Sequence, residues 1–292
     1  MAHYSIKDLQ NFTGIKAHTI RMWEKRYTIV EPKRTNTNIR YYDDDDLKKL
    51  INISILNRNG YKISAIASLS DSAISEEILS LAHTLNDFES QIEGLVVSMI
   101  DLDENMFEKI FNTAVIKMGF EDAVINILYP FFEKIGVLWQ IGTITTSHNY
   151  FISNLVRQKI IVAIDGLVNS FTSKTKTYLL FLPEGEHHEL GLLFYQYILK
   201  KNNYKIIYLG ANVPDECLIG LTKSKKINGL MTSVKAPLKQ NEFVEYIKDL
   251  SKKFNNKPIY ISGFGINSLG DMLPENVSFF KNPREFKYKL NV

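Results

Sequence analysis

The feature that most constrains the fold of this chain is an alternation of short apolar runs and helical segments that starts at Thr177. The apolar runs lie at 178–182, 205–209, 229–234, 259–262 and near 277–280, and the helical segments lie at 189–201, 215–224 and 241–253. Strands that alternate with helices of about 10 to 15 residues are typical of parallel βαβ units. We therefore predict a doubly wound parallel sheet of about five strands, and sheets of this kind bind ligands at the carboxyl ends of their strands.

Residues 75–170 show a helical pattern, with apolar positions three to four residues apart and Pro130 as the only proline. One apolar stripe comprises Ile78, Leu81, Leu85, Phe88, Ile92, Leu95 and Met99. This spacing places apolar side chains on one face of a helix. We predict a bundle of about four or five helices here, followed by a polar linker at 170–176.

The first 70 residues form a basic module. They contain twelve Lys and Arg against seven Asp and Glu, a charge of +5, whereas the whole chain carries +3 and the other 222 residues therefore sum to −2. A positive module on a near-neutral body indicates a polyanionic partner such as nucleic acid.

Two helices and a wing are predicted in this module. Ser5 is a candidate N-cap of the first helix, Thr13-Gly14 forms a turn, and the second helix covers 16–25. A recognition helix contacts base edges with residues near its N-terminus, while neighbouring basic groups hold phosphates. The segment 34–42 is expected to form a short β-wing, and the acidic run 43–46 is expected to start the next helix, where carboxylates favour the positive end of the dipole.

This segment resembles the MerR family of transcription regulators. The resemblance is carried by Tyr4-Ser5-Ile6, Thr13-Gly14-Ile15, the run 19–24, Arg40-Tyr41-Tyr42, Leu47, Leu50, Ile53, Leu56 and the run 60–63. It implies a winged helix-turn-helix that binds operator DNA as a dimer. The residues expected to face the groove are Lys16, His18 and Thr19, and those expected on the phosphate backbone are Arg21, Arg34, Asn36, Arg40 and Tyr41. We expect Trp23 and Tyr42 to be core residues and Glu24 to be the structural partner of a nearby base.

The composition argues against several other classes of protein. Cys217 is the only cysteine, so an intramolecular disulfide or a cysteine-based zinc cluster is excluded, and the expected role of Cys217 is that of a small buried residue. The N-terminus is polar, and no run of about 18 apolar residues occurs. We therefore expect a cytoplasmic protein with no membrane partner.

The segment 184–191, Glu-Gly-Glu-His-His-Glu-Leu-Gly, is the most chemically suggestive part of the chain. It follows the first predicted strand of the sheet and opens the next helix, where such sheets bind ligands. A histidine two residues after a carboxylate can ligate a metal through one ring nitrogen while the carboxylate holds the other. Spacing alone is equally compatible with a solvated helix start in which Glu189 favours the dipole.

Residues 77–292 resemble the effector half of the light-sensing, cobalamin-dependent MerR-type repressors, in which a helical cap precedes a cobalamin-binding α/β domain. The lower-ligand motif of that family, D-x-H-x-x-G, appears as residues 186–191. The resemblance implies that His188 ligates cobalt, that Glu186 is its carboxylate partner and that Gly191 is the motif glycine. Only the spacing to Gly191 favours His188 over His187.

Other positions of the same resemblance lie outside this loop. Ser233 falls where the family has a serine near the nucleotide tail, and Gly263 falls in an interrupted glycine pair. Trp139 would lie over the upper face of the corrin ring. The implied cofactor is adenosylcobalamin.

The chain departs from this family at two positions of the cap. Asn149 and Tyr150 stand where the family has Glu and His. Without an imidazole at position 150, the bis-histidine state that the family forms after illumination cannot arise there, and His148 lies nearly opposite on a helix. Cobalamin with altered photochemistry, a different planar or tetrapyrrole ligand, and no ligand at all remain open alternatives.

Together these patterns predict an α/β protein with all-α parts. The predicted domains are a winged helix-turn-helix at 1–72, a helical bundle cap at 75–170, and a cobalamin-binding-like, flavodoxin-like doubly wound domain at 176–292. The predicted function is a non-enzymatic transcription regulator that binds double-stranded promoter DNA as a homodimer or higher homo-oligomer under the control of ligand occupancy. A ligand-free scaffold is one alternative. A cobalamin-dependent enzyme module is another, although it would give the DNA-binding arm no role.

Overall fold

A computed structural model of the chain describes residues 4–35, 38–81, 88–140, 144–234, 240–254, 257–263 and 273–290. These residues belong to two compact units, Met1–Leu155 and Val156–Val292. Within the described ranges, none of the helices combines the length and the apolarity needed to cross a bilayer.

The first unit begins with a helix-turn-helix formed by α1 (Ile6–Thr13) and α2 (Ala17–Tyr27). The prediction that Ser5 caps α1 is confirmed, because Ser5 and Asp8 form a reciprocal capping box. Gly14 ends α1 at φ +68, and its N–H donates to the carbonyl of Gln10. Glycine adopts this left-handed conformation without steric cost, so the turn between the helices can be tight.

A two-stranded antiparallel wing follows, formed by β1 (Lys33–Arg34) and β2 (Arg40–Tyr41). Backbone hydrogen bonds of 2.8 and 2.9 Å join Tyr4 and Tyr42 and hold the start of the chain beside the end of the wing. Next come α3 (Asp44–Arg58) and the short α4 (Ile63–Ile66). The acidic run starts α3 as predicted, with Asp43 as N-cap and Asp46 completing a second capping box.

The rest of this unit is a helical bundle. Its elements are α5 (Asp71–Leu81), α6 (Phe88–Ile100), α7 (Glu104–Met118), α8 (Phe120–Ala123), a π-helical segment (Val124–Leu128), α9 (Tyr129–Gln140) and the start of α10 (Thr146–Asp165). The middle of α6 is buried, and so is Ile78 of α5. The predicted stripe is wrong at Phe88, the first residue of α6, which is 45% exposed, whereas Leu95 and Met99 further along the same helix are buried. Leu85 of that stripe lies outside the described residues.

The second unit contains a five-stranded parallel sheet in the order β4-β3-β5-β6-β7. The strands are β3 (Thr177–Pro183), β4 (Lys205–Val213), β5 (Gly229–Val234), β6 (Ile259–Gly263) and β7 (Val277–Phe280). The helices are α11 (Leu190–Lys201), α12 (Asp215–Ser224), α13 (Gln240–Lys253) and α14 (Pro283–Leu290). The doubly wound prediction is therefore confirmed, with the 2-1-3-4-5 strand order of flavodoxin-like sheets. Cys217 of α12 is exposed, so the expectation that it is buried is wrong.

Candidate functional sites: a basic face and a histidine loop

The start of α2 presents the residues that were predicted to face a DNA groove. Lys16 is the N-cap of the helix and makes no side-chain capping bond. Lys16 and His18 are exposed and Thr19 is half-buried, whereas Ile20 and Trp23 are buried in the core. The helix therefore offers polar side chains at its N-terminal turn, which is the part of a recognition helix that meets base edges.

A shallow groove between α2 and the wing brings Arg21 and Arg40 together. Its lining residues are Arg21, Glu24, Lys25, Thr28, Val30, Glu31, Pro32 and Arg40. Arg21, Lys25 and Arg40 are exposed there. Lys25 was not among the predicted contacts, although its position four residues after Arg21 puts both on one face of the helix. The three cations form a positive rim that suits phosphate groups.

Glu24 connects α2 to the end of the wing. Its carboxylate accepts a hydrogen bond from the hydroxyl of Tyr42, which is fully buried. Burial, and then the bond to Glu24, raise the pKa of Tyr42 well above its usual range, so this hydroxyl remains a donor. Trp23 and Tyr42 are core residues, as predicted, but the partner that the structure shows for Glu24 is a phenol rather than the expected base.

The wing is held by its own hydrogen bonds. Nη1 of Arg34 donates to Oδ1 of Asn38 at 2.7 Å, and the backbone N–H of Thr35 donates to the carbonyl of Ile39 at 2.9 Å. Arg34 and Arg40 are exposed and Tyr41 is half-buried. Asn36, the remaining residue predicted to contact the phosphate backbone, lies outside the described residues.

In the second unit, Glu186 orients His188. Its Oε1 atom lies 2.6 Å from Nδ1 of His188 and accepts 2.9 Å hydrogen bonds from the backbone N–H groups of His187 and His188. The side chain of Glu186 is 15% exposed, whereas that of His188 is 65% exposed. Because Glu186 holds Nδ1, a metal bound by this imidazole would be taken by Nε2.

The loop that carries this pair is anchored to the end of β4. The N–H of Asn212 donates to the carbonyl of Glu186 at 3.1 Å, and Oδ1 of Asn212 accepts from the N–H of Gly185 at 2.8 Å. Gly185 has φ +83, a conformation that favours glycine. Asn212 therefore anchors the part of the loop that immediately precedes the two histidines.

The other predicted residues of this unit lie at the carboxyl ends of the neighbouring strands. A Cβ placed on Gly191 would lie 3.6 Å from Oγ of Ser233, so the start of α11 approaches β5 closely. Ser233 pairs with Ser262, and Gly263 is the last residue of β6. Ser262 is buried, and its Oγ has no hydrogen-bond partner among the residues described. An unsatisfied buried hydroxyl at this edge suits a polar ligand group.

A further network beside the loop was not predicted. Glu189 accepts hydrogen bonds from the hydroxyl of Tyr208 at 2.8 Å and from Nε of Arg157 at 3.1 Å. Burial, and then the bond to Glu189, raise the pKa of Tyr208 well above its usual range. This network ties α10 and β4 to the residue that follows His188. Sequence spacing gave no signal for it, because its members come from three distant segments.

The predicted cap residues lie in the first unit. Trp139 is in the last turn of α9, but its side chain lies outside the described part of the chain. Asn149 and Tyr150 are exposed near the start of α10. Nδ1 of His148 accepts a hydrogen bond from the N–H of Thr145 at 3.2 Å, so this imidazole contacts the segment that opens α10.

Comparison with known proteins gives matches to both parts of the first unit, the helix-turn-helix and the helical bundle. Residues 4–73 match the family model of the MerR HTH family regulatory protein, and residues 91–163 match that of the B12 binding domain. The chain is 24% identical over 263 residues to the HTH-type transcriptional repressor CarA of Myxococcus xanthus, covering 89% of this chain and 86% of the relative. It is also 24% identical over 221 residues to the repressor CarH of the same organism, covering 74% of this chain and 73% of the relative.

One solved structure supports the fold. The monomethylamine corrinoid protein of Methanosarcina barkeri superposes with a TM-score of 0.50 at 16% identity, covering 74% of this chain and 98% of that protein. At this identity the likeness bears on fold alone. The chain therefore has a MerR-type helix-turn-helix joined to a B12-binding domain, and it is homologous over most of its length to the transcriptional repressors CarA and CarH.

Proposed function

We propose that this chain is a transcription regulator that binds promoter DNA as a dimer and changes its DNA affinity when a cobalamin occupies its C-terminal half. The observation that carries the DNA-binding part is the joint exposure of Lys16, Arg21 and Arg40 around the start of α2 and the wing. A single recognition helix reads few base pairs, so two protomers on a palindromic site are the expected arrangement.

The residues that would contact DNA have different roles in this proposal. Lys16, His18 and Thr19 would face the bases, because they lie in the first turn of α2. Arg21, Lys25, Arg34, Arg40 and Tyr41 would hold phosphates, and Asn36 is assigned to the same set by its place in the wing. Phosphate contacts position the protein without carrying sequence information, whereas base contacts specify the site.

The second unit fits a corrinoid ligand. His188 would hold it through Nε2, with Glu186 fixing the ring through Nδ1 as a carboxylate does in many metal sites. Gly191, Ser233 and Gly263 would border its nucleotide tail, and the unsatisfied hydroxyl of Ser262 offers a donor there. When bound, the cofactor would supply a cobalt centre that accepts an imidazole nitrogen as a ligand.

We assign Trp139 of the cap to the cofactor as well, but the residues that follow in the cap differ from the family pattern. With Asn149 and Tyr150 in place of Glu and His, no imidazole is available at position 150. We therefore propose that illumination does not produce a bis-histidine state at these positions. We propose no catalytic role, since the curated relatives are regulators.

The DNA-binding part is tested by incubating the full chain with a random duplex library at low salt and sequencing the retained duplexes. We expect enrichment of a palindromic sequence that binds two chains per duplex. Substitution of His18 or Thr19 by Ala should change the selected sequence, because these residues would contact bases. Failure to retain any duplex would refute the assignment of the basic face.

The cofactor part is tested by mixing the protein with adenosylcobalamin in the dark, desalting it and recording an absorbance spectrum. We expect a retained red species, loss of the histidine-ligated spectrum in His188→Ala, and no change in the matched control His187→Ala. A colourless protein would refute cobalamin binding and leave the DNA-binding part untouched. If only His187→Ala alters the spectrum, the ligating residue would be His187 and not His188.

A further inference from the structure

A buried charge cluster connects the helix-turn-helix to the helical bundle within the first unit. Glu93 of α6 is 1% exposed, and its carboxylate forms ion pairs with Arg58, the last residue of α3, and with Lys134 of α9. Nζ of Lys134 lies 3.4 Å from Oε1 of Glu93. Arg58 also lies 3.2 Å from Glu89 at the start of α6. One buried carboxylate therefore links three helices.

Buried ion pairs depend strongly on geometry. Moving charges out of water costs free energy, and the attraction between the charges offsets this cost only when their geometry is good. Separating one partner leaves a buried charge without compensation. Burial lowers the pKa of Lys134 to about 8, with Arg58 acting in the same direction and Glu89 opposing it. An apolar contact would tolerate sliding of α3 against α6 and α9, whereas this cluster favours one arrangement and resists small shifts.

Two further ion pairs join the α3 helix to the bundle. Lys48 pairs with Asp101 after α6 at 2.6 Å, and Lys49 pairs with Asp71 of α5 at 3.4 Å. Asn52, one turn after Lys48, is buried, and its Oδ1 accepts no hydrogen bond from the residues described. These directional contacts add to the cluster in resisting small shifts of α3 against the bundle.

The cluster lies between the two functional parts of the proposed regulator. On one side, α3 packs against α1 of the helix-turn-helix. On the other side, Lys134 precedes Trp139 by five residues in the same helix, α9. We infer that Arg58, Glu93 and Lys134 form a joint through which α9 sets the orientation of the DNA-binding face. The identity of the signal rests on the proposed function, whereas the joint is a property of the first unit.

The test compares Lys134→Met with Lys48→Met. Both substitutions remove a lysine ammonium that pairs across the bundle, but only Lys134 contacts the buried carboxylate. The readout is the ratio of duplex affinities with and without adenosylcobalamin in the dark, using the selected palindrome. If the wild-type ratio is about tenfold, within the usual range of allosteric coupling, we expect it to fall below about twofold in Lys134→Met and to persist in Lys48→Met. A Lys134→Met protein that binds both ligands and keeps the full ratio would overturn the inference.

A second readout does not depend on cobalamin. Because coupling is reciprocal, duplex binding should alter hydrogen exchange of the α9 amides in the wild type and in Lys48→Met, but not in Lys134→Met. If duplex binding leaves the hydrogen exchange of the α9 amides unchanged in the wild type, the joint is refuted. If the protein binds no cobalamin but duplex binding still changes the hydrogen exchange of the α9 amides, the proposal of a cobalamin cofactor is refuted and the joint is supported. If Lys134→Met does not fold, Glu93→Gln replaces it with the same expected outcomes.

Discussion

Replacing Arg40 by Ala tests the assignment of the basic face in quantitative form. Arg40 is exposed at the start of β2 and lines the groove with Arg21 and Lys25. Each positively charged side chain that neutralises a phosphate releases condensed counterions, so affinity for DNA falls with salt concentration. Loss of one such side chain should therefore weaken binding to every sequence and flatten the dependence on salt.

The size of the effect follows from the exposed cations. The cations assigned to phosphates, Arg21, Lys25, Arg34 and Arg40, are exposed in each protomer. If all four meet phosphates in a dimer, the slope of log K against log salt is about −7, and Arg40→Ala should bring it to about −5. In a dimer, Arg40→Ala removes one phosphate contact from each protomer. Two lost contacts of about 1 kcal/mol each would reduce affinity on the order of 30-fold.

The assay is fluorescence anisotropy of the full chain on the selected duplex, with salt varied from roughly 50 to 300 mM. Lys226→Ala is the matched control, because Lys226 is an exposed cation in the other unit. A scrambled duplex should lose affinity by the same factor as the selected one. An Arg40→Ala slope that equals that of Lys226→Ala would show that the wing does not contact the backbone.

Three further predictions concern stability. Asp43→Ala should lower the free energy of unfolding by about 1 kcal/mol, because Asp43 caps α3, whereas Asp45→Ala should cost less; equal losses in thermal melts would argue against the cap. Tyr42→Phe should cost about 1 to 2 kcal/mol in urea unfolding, because the buried hydroxyl donates to Glu24, and an unchanged midpoint would contradict this. The pKa of Lys134 is lowered to about 8 in the folded state, so the unfolded chain binds more protons between about pH 8 and 10.5 and the wild type should gain stability across that window. Lys134→Met should lack this gain, and parallel pH profiles of the two proteins would refute the shift.

The sequence was sufficient to predict features that rest on local patterns. Asp43 and Asp46 formed a capping signature that needs only four consecutive positions, and the strand–helix alternation predicted the parallel sheet because each crossover must be long enough to carry a helix. The order 2-1-3-4-5 is one of the few arrangements open to such a chain. The pairing of Glu186 with His188 was also within reach, because the two residues lie in one loop.

Other features depend on contacts between distant segments. A glutamate at position 93 looks like any solvated residue of a helix, and nothing nearby in sequence shows that Arg58 and Lys134 enclose it. The network of Arg157, Glu189 and Tyr208 was missed for the same reason. Phe88 was misassigned because a spacing rule identifies one face of a helix and does not show which positions on that face are covered by other segments. Cys217 was misassigned because cysteine is usually buried, whereas this position of α12 is exposed.

In the proposed function, occupancy of the C-terminal half controls the affinity of the N-terminal half for DNA. This is measured by titrating the chain of residues 1–292 on its selected palindromic duplex in the dark, with and without saturating adenosylcobalamin. We expect salt-sensitive binding whose affinity changes by more than about fivefold when the cofactor is added. Identical binding curves, from a protein that visibly retains the cofactor, would contradict it.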